Sequence, residues 1–182
     1  MIVNLDDRSS GESALEDHAN RQGPHKSPQD RLVALAYYVL EQEHAGAASE
    51  LSLSFVDADE MEALNSTYRG VQAPTDVLSF ACDAELLGDV VMCPQVAAER
   101  ARGLAVDVFE EMELLVVHGI LHLLGYDHAN EADAVRMEAR EDELLAQWDT
   151  IVKAYAPQGA ANIKIDTTAD TETTASEVCH EF

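Results

Sequence analysis

Hydrophobic and polar positions follow two different periods along the first third of the chain. Residues 2–5 are predicted to form a short strand, and ELSLSFVD (50–57) alternates through its leucines and phenylalanine as a half-buried strand does. Between them, from Asp30, the stretch DRLVALAYYVLEQEHAG has apolar residues at 32, 33, 35, 36 and 39, one face of a helix that Gly46 is placed to end.

Capping residues mark the next elements. Asp57, followed by Glu60, predicts the start of a short helix that Gly70 ends. TDVLSFA and LGDVVMC are rich in Val, Leu and Phe and are predicted to be two strands. Pro94 is typical of a first helical position, so PQVAAERARG is expected to be a helix that ends at Gly103.

The following stretch is predicted to be largely helical. Asp107 and Glu110 cap a helix over residues 108–124 whose second half is apolar nearly all round, so this helix is expected to be central and buried. Gly125 ends it. An amphipathic helix follows over residues 131–148. Its apolar side is formed by Met137, Leu144, Leu145 and Trp148.

The length of 182 residues suits one ordinary domain with tails. Residues 8–29 are polar, without apolar period, and are predicted to be a loop. Beyond Pro157 the chain turns to Thr, Ala, Asp and Glu, which is typical of a disordered acidic tail. The predicted division is therefore a domain over residues 1–156 and a tail over residues 157–182.

Charge and cysteine content bear on partners and compartment. Thirty-five acids face eleven bases, and the formal net charge of -24 predicts poor non-specific affinity for nucleic acid unless a local positive site overrides it. Cys82, Cys93 and Cys179 are odd in number and widely spaced, so no disulfide framework or zinc ribbon is predicted and a reducing compartment fits best. Without a leader or an apolar run of about 20 residues, the chain is expected to be soluble and cytoplasmic.

Three histidines fall within the eleven residues HGILHLLGYDH. On a helix, His118 and His122 lie one turn apart, roughly 6 Å along the axis, and can chelate one ion. Gly125 is free to adopt a positive φ and can reverse the chain, so that His128 returns toward the pair. The spacing predicts a three-nitrogen metal site with a fourth position for water, and zinc or a similar divalent ion is the expected occupant.

The alternative is that these histidines are core residues satisfied by hydrogen bonds, which is the commoner explanation for any one of them alone. For all three together it fails. Burying three polar rings among leucines without partners would cost on the order of a few kcal/mol. Metal coordination removes that cost and explains the spacing and the glycine together.

The same spacing with Glu after the first histidine is characteristic of metzincin proteases, where that Glu activates water. Here the position is Gly119, so a peptidase would lack its general base. RNA cleavage needs no carboxylate there, because the 2'-hydroxyl of the substrate can be the nucleophile and a metal ion can act as the Lewis acid.

Four motifs, in this order, resemble those of the YbeY endoribonucleases: LNSTYRG (64–70), PTDVLSF (74–80), LGDVV (87–91) and HGILHLLGYDH (118–128). The resemblance implies an α/β (α+β) fold: a single domain with a small, mixed, mostly parallel sheet packed with helices and a central, buried, metal-binding helix. It also implies one zinc ion per chain, held by the three histidines. The implied activity is single-strand-specific cleavage of RNA in ribosomal RNA maturation (16S rRNA processing) and small-subunit quality control.

Carried over by position, the resemblance makes His118, His122 and His128 the metal ligands and places the arginine of the family at Arg69. Arg69 and His118 are expected to act in catalysis. A guanidinium can hold two phosphate oxygens and stabilise the charge of a phosphorane-like transition state. The alternative is a cation at the end of the 57–69 helix that only complements the helix dipole.

Other motif positions are less distinctive. Asn65, Tyr68, Thr75 and Asp76 are candidates for lining the cleft, although turn chemistry or packing explains them nearly as well. Asp127 could orient a ligand imidazole without itself binding the metal, or could be only an acid in the turn that flanks the helix.

The expected partners are single-stranded RNA, ribosomal RNA, and the small ribosomal subunit with its assembly proteins, and not a membrane. Because so few bases cannot hold RNA over a broad footprint, delivery by a ribosomal partner is expected. Two alternatives remain open: a zinc metallopeptidase of metzincin-like spacing without its Glu base, and a ribosome-assembly binding module whose metal serves only folding. Gly119 argues against the first and Arg69 against the second.

Overall fold

A mixed sheet lies at the centre of the computed structural model, which describes residues 1–9, 27–46, 50–82, 86–155 and 180–181. Its strands are β1 (Ile2–Asp7), β2 (Glu50–Phe55), β3 (Val77–Ala81), β4 (Leu86–Met92) and β5 (His180–Glu181). Their order is β1-β2-β4-β3-β5. Strands β1, β2 and β4 are parallel, whereas β3 runs antiparallel to both β4 and β5.

Five helices pack around this sheet in the described part of the chain. They are α1 (Pro28–Gln42), α2 (Ala58–Arg69), α3 (Pro94–Leu104), α4 (Val108–Leu123) and α5 (Glu131–Tyr155). Most of α4 is buried, from Phe109 to Leu123, which confirms the predicted central helix. The predicted mixed α/β fold is confirmed as well.

Alternation along the strands decides which helix covers which face of the sheet. Leu51, Leu53 and Phe55 of β2 are fully buried and share one core with Val90 of β4 and the apolar residues of α1, α4 and α5. The side chains of β3 and β4 that point to the other face of the sheet pack with Met61 of α2 in a second, smaller core. Helix α2 therefore lies across the sheet from α4.

Several element ends differ from the prediction. Helix α1 begins at Pro28 rather than Asp30, because the Ser27 side chain caps it by accepting a hydrogen bond from the Asp30 N–H. The same helix ends at Gln42, before Gly46. The predicted 8–29 loop thus loses its last two residues to α1, and its residues 10–26 lie outside the described residues.

The two later helices also run past their predicted ends. Helix α3 continues beyond Gly103 to Leu104, and Ala105, with a φ of 56°, is the left-handed residue that ends it. Helix α5 continues past 148 to Tyr155, because the buried Val152 extends its apolar side by a further turn.

Part of the predicted tail is ordered into the sheet. His180 and Glu181 pair with Ala81 and Phe80 of β3, so these two residues are not disordered as predicted. The remainder of residues 157–182 lies outside the described residues.

A buried carboxylate fixes the helices around α4. Glu113 of α4 is 5% exposed and accepts two hydrogen bonds from Arg31 of α1, at 2.8 and 3.0 Å. The Trp148 indole of α5 donates to it at 2.9 Å. Burial raises the pKa of Glu113, and Arg31 opposes that rise. One side chain of α4 therefore links this helix to both α1 and α5.

The cysteines only partly follow the prediction. Cys93 is a free, buried thiol. Cys82, directly after β3, is disulfide-bonded, which the widely spaced cysteines did not predict. Among the helices of the described residues, none has the length and apolar character needed to cross a membrane.

Candidate metal centre

Helix α4 carries the first two histidines at its C-terminal end. Asp107 caps the start of the helix by accepting a hydrogen bond from the Phe109 N–H at 2.9 Å. Near the other end, His118 and His122 stand one turn apart with their Nε2 atoms 3.1 Å from each other. His122 is 6% exposed, whereas His118 is half-buried. The predicted helical pair is therefore present.

A reversal at Gly125 brings the third histidine back to this pair. Gly125 has a φ of 88°, in the left-handed region that favours glycine. The Tyr126 N–H then donates to the Leu121 carbonyl at 3.0 Å, which folds the chain back against the helix end. His128 is exposed, and its ring centroid lies 4.9 Å from that of His122. The ligand atoms of the three rings all lie within 4.8 Å of one another.

Hydrogen bonding determines which nitrogen of His122 carries the proton. Its Nδ1 lies 3.1 Å from the Tyr126 carbonyl oxygen, which can only accept, so Nδ1 is the donor. Its Nε2 is then a bare lone pair that faces His118. The pKa of His122 is lowered from 6.5 to about 4, first by burial and then by the neighbouring His118 and His128. The ring is therefore neutral at physiological pH and able to bind a metal.

The donor set fits a divalent transition-metal ion. The bare Nε2 of His122 lies 3.1 Å from Nε2 of His118, a separation at which a cation or a proton between the two nitrogens is favourable. In a tetrahedral site with metal–nitrogen bonds of about 2.0 to 2.1 Å, adjacent nitrogens are about 3.3 to 3.4 Å apart. Imidazole also suits zinc and its neighbours better than it suits magnesium or calcium.

A cleft of about 250 Å³ opens beside the histidines. It lies between the start of β3, helices α3 and α4, and the first half of α5. Its charged or titratable lining residues are Asp76, Arg100, His118, His128, Glu138 and Glu141. The metal centre therefore borders a cavity with room for a substrate group.

Two of the predicted site residues are not among those that line this cleft. Arg69 is the last residue of α2, the helix packed on the opposite face of the sheet from α4, and is exposed. Among the described residues, those that line the cleft do not include Arg69 or Tyr68. Tyr68 is 50% exposed and packs edge-on against Phe80, with ring centroids 4.8 Å apart.

Asn65 has a structural role in the same helix. It is buried, and its amide donates to the Ala73 carbonyl at 2.7 Å, which holds the loop after α2. Gly70, with a φ of 69°, ends α2 as predicted.

Of the remaining predicted residues, Asp76 lines the cleft, whereas Thr75 and Asp127 are each adjacent in sequence to a lining residue. Asp76 accepts hydrogen bonds from the Val77 N–H and the Thr75 hydroxyl, and is ion-paired with Arg100. The carboxylate of Asp127 accepts from the backbone N–H of His128 at 2.7 Å. Asp127 therefore contacts the backbone of this third ligand residue in the turn.

Three charged residues of the cleft lining were missed by sequence reasoning: Arg100, Glu138 and Glu141. Glu141 of α5 has its Oε1 2.7 Å from Nδ1 of His118, and Arg100 of α3 is paired with both Asp76 and Glu111. Glu141 could have been noticed as a carboxylate on the apolar side of an amphipathic helix, four residues after Met137. No comparable pattern marks Arg100.

Gly119 is in close contact with the sheet. A Cβ at this position would lie 2.6 Å from Cγ1 of Val90, closer than real Cβ atoms approach. A glutamate there would therefore collide with β4. The general base of a metzincin-like peptidase has no room at this position, in agreement with the argument from the sequence.

Fold and site together define a class of protein: an α/β domain with a buried helix and a histidine group beside a cleft that could hold a metal ion. The family model described as Endoribonuclease YbeY matches residues 17–149. An Endoribonuclease YbeY from Frankia alni is 41% identical over 162 residues, which covers 79% of this chain and 90% of that protein. One from Acidothermus cellulolyticus is 45% identical over 134 residues, covering 65% and 82%. The chain belongs to the endoribonuclease YbeY family.

This membership settles the function class that the sequence left open. The family predicted from the four motifs is confirmed, and so is the expectation of an endoribonuclease. Neither the metallopeptidase nor the binding-module alternative is supported.

Proposed function

We propose that this protein is a zinc-dependent, single-strand-specific endoribonuclease that acts in the maturation of 16S ribosomal RNA and in small-subunit quality control. One observation carries the proposal: three histidine nitrogens gather beside a cleft, and position 119 has no room for the carboxylate that would act there as a general base on water. A substrate that brings its own nucleophile, the 2'-hydroxyl of RNA, suits such a site.

His118, His122 and His128 would hold the ion. When bound, zinc would supply Lewis acidity at the scissile phosphate and a water of lowered pKa. Other residues of the chain hold the histidine rings in place. The Tyr126 carbonyl keeps the His122 proton on Nδ1, and Gly125 returns His128 to the helix pair. The His122 ring is thereby held with its Nε2 lone pair available, and His128 lies beside it, before the ion binds.

Arg69 is proposed to stabilise the transition state. Its guanidinium is exposed at the end of α2, and a short loop leads from there to Asp76 in the cleft lining, so we propose that Arg69 contacts the scissile phosphate from the rim of the cleft. Two parallel N–H groups can bind two oxygens of one phosphate and offset the charge that develops there. Asn65, Tyr68, Thr75, Asp76 and Asp127 are proposed only to shape the surroundings of the site.

The charge of the protein restricts how it meets RNA. A net charge of -24 repels a polyanion, so we propose that RNA is delivered within the small ribosomal subunit by its assembly proteins. A ribosomal substrate implies a cytoplasmic location. The catalytic unit is proposed to be residues 1–156, because every ligand and cleft residue lies inside this range.

The test is cleavage of a fluorescently labelled single-stranded RNA by purified protein, with a double-stranded RNA of the same sequence as the control. Cleavage of the single strand that stops with chelator, returns with zinc and is absent in His122→Ala is expected. Cleavage that is unaffected by chelator would refute metal dependence. An intact fold without any cleavage, with wild-type RNA processing in cells that carry only Arg69→Ala, would instead favour a binding module.

A further inference from the structure

Glu141 is a buried carboxylate on the core-facing side of α5. It falls in the same helical stripe as Met137, Leu144 and Trp148, which pack α5 into the core, and it is 8% exposed. An ionised carboxylate on such a stripe is costly unless a partner compensates it. The partner that the structure provides is His118.

The two nitrogens of the His118 ring face different partners. Oε1 of Glu141 lies 2.7 Å from Nδ1, while Nε2 of the same ring lies 3.1 Å from Nε2 of His122. An ionised carboxylate can only accept a hydrogen bond, so Nδ1 carries the proton. The lone pair of Nε2 is then directed at the neighbouring ligand.

We propose that Glu141 is a positioning residue for the metal centre, holding His118 in its Nδ1-protonated tautomer so that Nε2 is free to bind the ion. This inference rests on the proposed metal site. Because Oε1 lies on the side of the ring opposite Nε2, Glu141 acts through the imidazole and does not act as a fourth ligand. A carboxylate in this place fixes the ring orientation and raises the basicity of the ligand nitrogen.

A different explanation is that Glu141 and His118 form only an ion pair that joins α5 to α4. Both explanations predict lower stability when Glu141 is removed. They differ in two properties: only a positioning role fixes the tautomer of His118 in the metal-free protein, and only a positioning role changes metal affinity in a variant that stays folded.

The experiment measures the zinc affinity of the full-length protein by competition with a chromogenic chelator. Glu141→Ala is expected to bind zinc about 10- to 100-fold more weakly. Glu141→Gln is expected to lose less, since its amide oxygen can still accept from Nδ1. The matched control is Asp142→Asn, which removes the same charge from the next, exposed residue and is expected to keep the wild-type affinity.

Zinc affinity equal to that of the wild type in both Glu141 variants would overturn the proposal. Should Glu141→Ala fail to fold, ¹⁵N NMR of the histidine rings in metal-free wild-type protein decides, because a His118 ring protonated at Nε2 contradicts the proposal. Neither measurement uses RNA. A failure of the proposed nuclease activity would therefore leave this test standing.

Discussion

The Ser79 hydroxyl donates a hydrogen bond to the Gly119 carbonyl oxygen at 3.2 Å, which ties α4, the helix of the proposed metal centre, to strand β3 inside the core. The same glycine lies against Val90 of β4. Side chain size at position 119 thus decides how closely α4 approaches the sheet. The approach in turn sets where α4 places His118 and His122 relative to the sheet.

Gly119→Ala is expected to destabilise the protein by about 1 to 3 kcal/mol, because the added methyl group overpacks the contact with Val90. Urea unfolding measures the change. Gly103→Ala is the control, since a Cβ there meets nothing within 4 Å, and it is expected to be neutral or to gain up to about 1 kcal/mol. Equal stability of the two variants would contradict the packing argument.

Gly125→Ala tests the reversal that returns His128. A Cβ at this position meets no atom within 4 Å, so the cost comes from the backbone alone. A left-handed conformation costs an L-residue about 1 to 2 kcal/mol, and the metal-free protein should lose that much stability while zinc binding weakens. Gly125→Asn should lose less, because asparagine tolerates positive φ better. An alanine variant with wild-type stability and affinity would show that this φ is not required.

Local signals explain what the sequence could predict. The cap of α2 by Asp57 and its end at Gly70 depend on residues a few positions apart, and both predictions are confirmed. The His118–His122 pair is equally local. The Glu141–His118 contact depends on how α5 crosses α4, which no local pattern contains. The start of helix α1 could not be predicted from the apolar period, because its cap Ser27 and its first residue Pro28 lie in a polar stretch.

The variant Arg69→Lys tests whether Arg69 stabilises the transition state without contributing to the stability of the fold. Lysine is a point charge and cannot make the bidentate contact, so metal content and stability should stay unchanged while cleavage falls about 10²- to 10³-fold. Metal analysis, urea unfolding and RNA cleavage measure the three properties. Wild-type cleavage by Arg69→Lys would show that Arg69 is only a helix-end cation. Arg100 in the cleft wall would then be the candidate for stabilising the transition state.

His118→Ala should behave differently from the arginine variant. It removes a ligand and also leaves the buried carboxylate of Glu141 without the His118 Nδ1 that pairs with it, so stability, metal content and activity should fall together. Loss of activity with metal content and unfolding free energy intact would show that His118 is not a ligand.

Asp89→Asn tests the effect of a partly buried charge on stability. Burial raises the pKa of Asp89 above its ordinary value of 3.8, against opposing effects of Ser52 and Arg8. The folded protein therefore keeps this proton more readily than the unfolded chain, and the free energy of unfolding falls as pH rises from 3.8 through the raised pKa. At neutral pH the variant should be more stable than the wild type, and below pH 3.8 the difference should disappear.

Urea midpoints across this pH range measure the effect of Asp89→Asn. The control is Asp59→Asn in the exposed first turn of α2, where loss of the charge removes a favourable interaction with the helix dipole and should slightly lower stability. A lower midpoint for Asp89→Asn at neutral pH would show that the interactions of this carboxylate outweigh its burial.

All three ligands lie within eleven consecutive residues around Gly125. Closing so short a loop costs little entropy, so an unfolded chain can also gather these imidazoles around an ion. Any affinity for the unfolded chain subtracts from the stabilisation that a ligand gives to the folded one. The melting temperature should therefore rise with zinc concentration less steeply than the affinity of the native protein alone would require. A newly synthesised chain could acquire its ion before its sheet is complete.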